Sequence, residues 1–146
     1  MSDKLFIDSN VILYGIEEQD KSKSERAASW LRYLVASGRG ASNLQVMNEV
    51  ANVLLKRKVL SSEEIFTLVD GFAGFGTSPI NAKTALAARL IRFDTGYSWW
   101  DCILLASAIE LRCGAFLSED LQDGHIIRGL TVINPFRHSA PYDGVH

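Results

Sequence analysis

Cysteine is scarce in this sequence, two residues in 146, and the pair cannot staple a fold. Cys102 and Cys113 fall in one expected helix, where a rise of about 1.5 Å per residue separates them by roughly 16 Å, beyond disulfide reach. Both read as packed thiols. Neither sign of charge is in excess: the net charge is −2 with 22% charged residues. Such a balance does not mark a nucleic-acid binder, although clustered carboxylates would mask a basic face in the count. No uncharged run approaches the roughly 20 residues of a membrane span. Met1–Lys4 leads straight into a strand without a leader pattern, and no segment repeats another. What is present is a 47% hydrophobic chain of a length usual for one domain with a real core, expected in the cytoplasm.

Leu5-Phe6-Ile7 is a short apolar run of the kind that forms a buried parallel strand. It stops at Asp8-Ser9-Asn10. In open α/β sheets the ligand edge is where strands deliver their carboxyl ends, and Asp8 stands there; it is equally placed to cap a following helix. Ser24–Ala36 then has helical spacing, with Trp30 in its core face and Gly38 as its stop. Ala41-Ser42 reads as a very short strand. Leu44–Arg57 is a helix with an apolar stripe of Val46, Met47, Val50, Ala51 and Leu54, and Glu49 lies at the border of that stripe. Ser61 and Glu64 form a capping box for a helix reaching Phe72. Ser78-Pro79-Ile80 reads as a brief strand, and Asn81 caps a helix through about Asp94.

The stretch from Tyr97 to Gly114 is the second informative one. Ser98 caps a helix that is apolar nearly all round, as buried helices are, and its only charge between Tyr97 and Ile109 is Asp101. An ionised carboxylate there is expensive unless it is paired, hydrogen-bonded or bound to a metal; the helix N-terminus also favours it. Ala115–Ser118 is a further strand, followed by Glu119-Asp120-Leu121-Gln122-Asp123-Gly124, which is either a solvated acidic turn or a second acid delivered to the ligand edge. Leu130–Ile133 is the last strand. Residues 1–136 make one domain, and 137–146 a loose tail.

Alternating strands and helices predict a parallel α/β sheet with right-handed crossovers. Asp8 and Asp120 follow strands, while Asp101 and Glu49 lie in the first and second turns of helices whose N-termini point to the same edge. Four carboxylates from four distant segments therefore share one rim. Their repulsion is relieved by a cation, and oxygen donors of this kind suit Mg²⁺ or Mn²⁺.

Phe6-Ile7-Asp8-Ser9-Asn10, Gln45-Val46-Met47-Asn48-Glu49, Ser98-Trp99-Trp100-Asp101 and Leu117-Ser118-Glu119-Asp120 resemble, in this order, the four acidic motifs of the PIN domain. Within that family the chain is similar to the bacterial VapC-type toxins, and the likeness runs from Leu5 to Pro135. It implies a Rossmann-like sheet of about five parallel strands in the order 3-2-1-4-5, with helices on both faces. It also implies Mg²⁺- or Mn²⁺-dependent cleavage of RNA, a homodimer, and an antitoxin partner that blocks the site. Carried over, Asp8, Glu49, Asp101 and Asp120 are the catalytic and metal-site acids, with Asp123 a reserve ligand. Ser9, Asn10 and Ser118 support the site; Glu119 points to the other side if the strand's alternation continues. Trp99-Trp100 departs from the pattern: one ring can stack an RNA base, and core packing is expected of at least one. The competing class is a non-catalytic PIN-like binding module, which would lack one or more of the acids.

Overall fold

In a computed structural model the chain is described over residues 3–16 and 20–141. Met1-Ser2 of the expected leaderless start and residues 142–146 of the expected tail lie outside that range. The strands are β1 (Leu5–Ile7), β2 (Gly40–Ala41), β3 (Ala115–Leu117), β4 (Ile126–Ile127) and β5 (Leu130–Ile133). The helices are α1 (Ser9–Ile16), α2 (Lys21–Ser37), α3 (Leu44–Arg57), α4 (Ser62–Phe72), α5 (Ala82–Thr95) and α6 (Trp99–Glu110). Among the described residues no helix is long and apolar enough to cross a membrane.

One five-stranded sheet runs in the order β2-β1-β3-β5-β4. The first four strands of that order are parallel, with Phe6 opposite both Ala41 and Phe116 and Leu117 opposite Ile133. The chain moves one way from β1 to β2 and the other way from β2 to β3. Of the helices, α1 packs against α2 and α3, α3 against α4, and α5 against α6. The three-residue strands work because they are buried. Leu5, Phe6 and Ile7 are at most 4% exposed, and the rings of Phe6 and Phe116 stack at 5.3 Å across the centre of the sheet.

The α/β fold and its central parallel strands are those expected; the fifth strand is not. Ser78–Ile80 forms no strand, and β4 pairs antiparallel with β5 at the opposite edge. Pro79 has no amide to donate to a ladder, and Gly76 just before it turns the backbone with φ 134°. The segment still lies along β2, because Ser42 N–H donates to the Phe75 carbonyl and Leu44 N–H to that of Ser78.

Helix ends follow the capping chemistry. Asn43 caps α3 by accepting from Val46 N–H, Ser61 and Glu64 complete the capping box of α4, and Gly38 and Gly96 close α2 and α5 in the left-handed region. α2 begins three residues earlier than its apolar spacing indicates, because Asp20 caps it through Lys23 N–H. α6 stops before the expected Gly114. Arg112 takes φ 61°, its amide donates to Ile109, and Cys113 N–H donates to Ala108, the paired bonds of a Schellman ending. Cys113 thus leaves the helix; it and Cys102 are free and buried, and burial pushes both thiols up, Cys113 to about 11.

The indole of Trp30, 2% exposed, packs in the core as expected and donates to the carbonyls of Pro135 and His138. His138, near the start of the expected loose tail, is in this way fastened to α2.

Candidate metal centre

All four acids of the rim are positioned by the local chemistry of their own segments. Asp8 follows β1, and its amide donates to the Leu117 carbonyl of β3 at 3.4 Å, continuing the parallel ladder one residue past the strand. Its carboxylate is only 5% exposed and accepts Ser9 N–H at 2.7 Å. Ser118 follows β3 in the same register; its hydroxyl accepts the amide of Asp120 at 3.2 Å and so turns that residue onto the rim. Glu49 rides on α3, whose cap Asn43 is fully buried and donates through Nδ2 to Ser107 Oγ of α6 at 2.8 Å. The start of α3 is thereby fixed to the buried C-terminal half of α6. Asp101 is the third residue of α6. Its amide donates to the capping Ser98 hydroxyl at 3.2 Å, and that hydroxyl donates back to the carboxylate at 2.7 Å.

The neighbours of Asp8 bridge the acids. Ser9 Oγ lies 3.0 Å from Glu49 Oε2 and 3.4 Å from Asp8 Oδ1, and it can donate to only one of them at a time. Asn10 Nδ2 donates to Asp120 Oδ2 at 3.1 Å. Two residues that follow Asp8 in sequence therefore reach carboxylates 40 and 110 positions away. Burial drives the carboxyl of Asp8 up to about 7, the Ser9 amide opposes this, and Asp101, Glu49 and Asp120 each raise it further. The three other acids thus all act on the one that is buried. Among the described residues, no three His, Cys, Asp or Glu side chains stand close enough to chelate an ion as they are. Uncompensated carboxylates repel, and these are turned onto their own donors: Ser98 for Asp101, Ser9 and Gln45 for Glu49, Asn10 for Asp120.

The remaining acids of the loop after β3 do other work. Asp123 accepts Asn134 N–H at 2.8 Å and lies 2.7 Å from His138 Nε2. The Asn134 amide, then His138, holds its carboxyl below the usual range. Glu119 turns away from the rim and pairs with Lys23 of α2, whose ammonium also lies 5.2 Å from the ring of Tyr14 and 5.4 Å from that of Phe136. Trp99 and Trp100 are 40% and 59% exposed, so neither is the core residue that the sequence led us to expect. They occupy the first two positions of α6, before the helix sinks into the interior at Cys102, and the first turn points outward beside Asp101.

Sequence reasoning missed three partners. Gln45 donates to Glu49 Oε1 at 3.1 Å from one turn earlier, and their four-residue spacing carried that signal. Tyr97 and His125 meet at 2.6 Å across 28 residues, which no local pattern foretells.

Comparison with known proteins bears on this arrangement. The family profile described as PIN domain matches residues 5–122, a span that contains all four acids. Among curated proteins none matches the sequence. Among solved structures, the chain is similar to one in a toxin–antitoxin complex from Klebsiella pneumoniae, at 20% identity and a TM-score of 0.63, over 91% of this chain and 98% of that one. It is also similar to one in VapBC2 from Rickettsia felis bound to a DNA fragment from their promoter, at 16% identity and a TM-score of 0.61, over 88% and 96% of the two chains.

Proposed function

Since the chain belongs to the PIN-domain family, we propose that it is a Mg²⁺- or Mn²⁺-dependent endoribonuclease, the toxin of a toxin–antitoxin pair. The observation that carries this reading is Asp8: a carboxylate buried at the end of β1, an inner strand, with the charges of Asp101, Glu49 and Asp120 all bearing on it. Such a cluster is unfavourable by itself and becomes favourable around a divalent cation. An oxygen-only donor set at a solvent-facing rim fits Mg²⁺ or Mn²⁺. Asp8, Asp101, Asp120 and Glu49 would hold the ion, which supplies a polarised phosphoryl oxygen and a water of lowered pKa.

The chain's own residues do the rest. Ser9 and Gln45 aim Glu49, Asn10 and Ser118 aim Asp120, and Ser98 aims Asp101. Asp123 is left out of the ligand set because, unlike Asp101, Glu49 and Asp120, it is not among the charges bearing on Asp8; its carboxylate instead holds Asn134 and His138. Trp99 and Trp100 present half-exposed rings beside Asp101, a surface on which unpaired bases stack. The substrate is therefore RNA cut in single-stranded stretches. Incubation of total bacterial RNA with the purified protein and Mn²⁺ is expected to give discrete fragments with ends in unpaired regions, and none in chelator. Intact RNA under both conditions, with no Mn²⁺ binding by calorimetry, would transfer the reading to a non-catalytic binding module.

A homodimer is part of the same reading. Leu86, Leu90 and Phe93 recur at spacings of four and three on α5, one face of the helix, and are 57%, 53% and 84% exposed. A second copy of the chain would bury them. Light scattering is expected to give twice the chain mass for the wild type and the single mass for Phe93→Asp; a monomeric wild type would remove the dimer from the proposal. Both solved neighbours were captured as toxin–antitoxin assemblies, and we assign this chain an antitoxin partner that covers the acidic rim, with a basic side chain turned to the carboxylates.

A further inference from the structure

We propose that Tyr97 and His125 are positioning residues that set how far Asp101 stands from Asp120; this role rests on the nuclease reading of those acids. Tyr97 closes the short link between α5 and α6, one residue before the cap Ser98 and four before Asp101. Its backbone is tied to both helices: the carbonyl accepts from Arg92 of α5 at 2.5 Å and from Cys102 Sγ of α6 at 3.5 Å. Its side chain reaches the other way, into the loop that carries Asp120. The phenol oxygen accepts Gln122 N–H at 3.3 Å and lies 2.6 Å from Nδ1 of His125. The ring also meets the imidazole edge-on, with centroids 5.6 Å apart.

The phenol oxygen serves two partners at once: it shares a hydrogen bond with His125 Nδ1, and a lone pair takes the Gln122 amide, so the imidazole orients the group that holds the loop. The far side of the same loop is fastened independently, by Asp123 to Asn134 N–H and to His138. Gln122, the residue that Tyr97 holds, is next to Asp123 and only two residues beyond Asp120. Asp120 is itself exposed, so the backbone of its loop must supply much of its placement. Tyr97 is the strut between the loop and the N-terminus of α6. Neither Tyr97 nor His125 would touch the ion or the RNA.

Tyr97→Phe deletes only the hydroxyl and keeps the ring, so the variant should fold. In the full chain without metal, exchange of the Gln122 amide followed by NMR is expected to accelerate about 10-fold or more as its acceptor disappears. With metal, Mn²⁺ affinity by calorimetry should weaken by about 10–100-fold, the range for residues that orient ligands. RNA cleavage should lose kcat at unchanged KM. His125→Ala should do the same, and His125→Asn, whose amide carbonyl can take the place of Nδ1, should recover part of the loss. Tyr97→Phe with wild-type Gln122 exchange and wild-type Mn²⁺ affinity would overturn the strut while leaving the nuclease intact. A wild type that neither binds Mn²⁺ nor cuts RNA would instead overturn the reading of the acids, and the positioning role with it.

Discussion

Asp8→Asn is expected to abolish RNA cleavage and, at pH 8 without metal, to raise the melting temperature. The loss of activity should exceed the roughly 10–100-fold that supporting residues cost, because Asp8 is the central acid of the cluster. The gain in stability follows from linkage. Folding lifts the carboxyl of Asp8 from 3.8 to about 7, first through burial and then through Asp101, Glu49 and Asp120. A group with a raised pKa holds its proton more tightly in the native state, so between about pH 4 and 7 the folded chain binds more protons than the unfolded one. Stability of the metal-free protein therefore falls as pH rises through that window, by about 4 kcal/mol in all at 1.36 kcal/mol per unit. Asparagine has no proton to lose and still offers an oxygen to Ser9 N–H. At pH 8 the variant should melt about 10 °C above the wild type, at roughly 2–4 °C per kcal/mol for a chain of this size, and the difference should shrink to near zero by pH 4. A lower melting temperature for Asp8→Asn at pH 8 would show that the carboxylate is structural.

Mn²⁺ should offset most of that pH dependence. Ligating carboxylates must be ionised, so the metal competes with the proton on Asp8 and binds well only where the metal-free protein is least stable. At a free concentration of 100 times Kd the gain is about 2.7 kcal/mol, or roughly 8 °C. Thermal scans should therefore show a large Mn²⁺ shift at pH 8, a small one at pH 5, and none at either pH for Asp8→Asn. An equal shift in wild type and variant would locate the ion elsewhere.

Much of this candidate site was legible because three of its acids announce themselves locally. Asp8 interrupts an apolar strand, Asp101 is the lone charge of an apolar helix, and Asp120 sits in an acidic turn after a strand. Glu49 alone was inconspicuous, and only the parallel topology brings it to the rim. The supporting roles of Ser9 and Asn10 could be suspected from adjacency to Asp8, but their partners at Glu49 and Asp120 depend on how three segments converge. The strut of Tyr97 and His125 is a tertiary contact with no sequence period. Two expectations failed for opposite reasons. Core packing was expected of at least one of the tandem tryptophans from their apolar character, yet their place in the first turn of α6 lies outside the stretch that the interior covers. Ser78–Ile80 has strand-like residues, but Pro79 and the turn at Gly76 keep it from joining the ladder that it borders.

That bordering segment has a consequence for how the chain behaves in a crowd. The two margins of a β-sheet are where one molecule can zip onto the next. Just past β2, Ser42 N–H and Leu44 N–H are already engaged by the carbonyls of Phe75 and Ser78. On the other margin, β4 is two residues long and runs against the direction of the remaining strands. A neighbouring strand arriving at either margin meets an edge strand of two residues, too short a template to grip. Beside β2 it also meets the segment that Phe75 and Ser78 anchor. Self-association should therefore proceed through helix faces such as that of α5 and stop at a closed assembly, and the protein should withstand high local concentrations without forming fibrils.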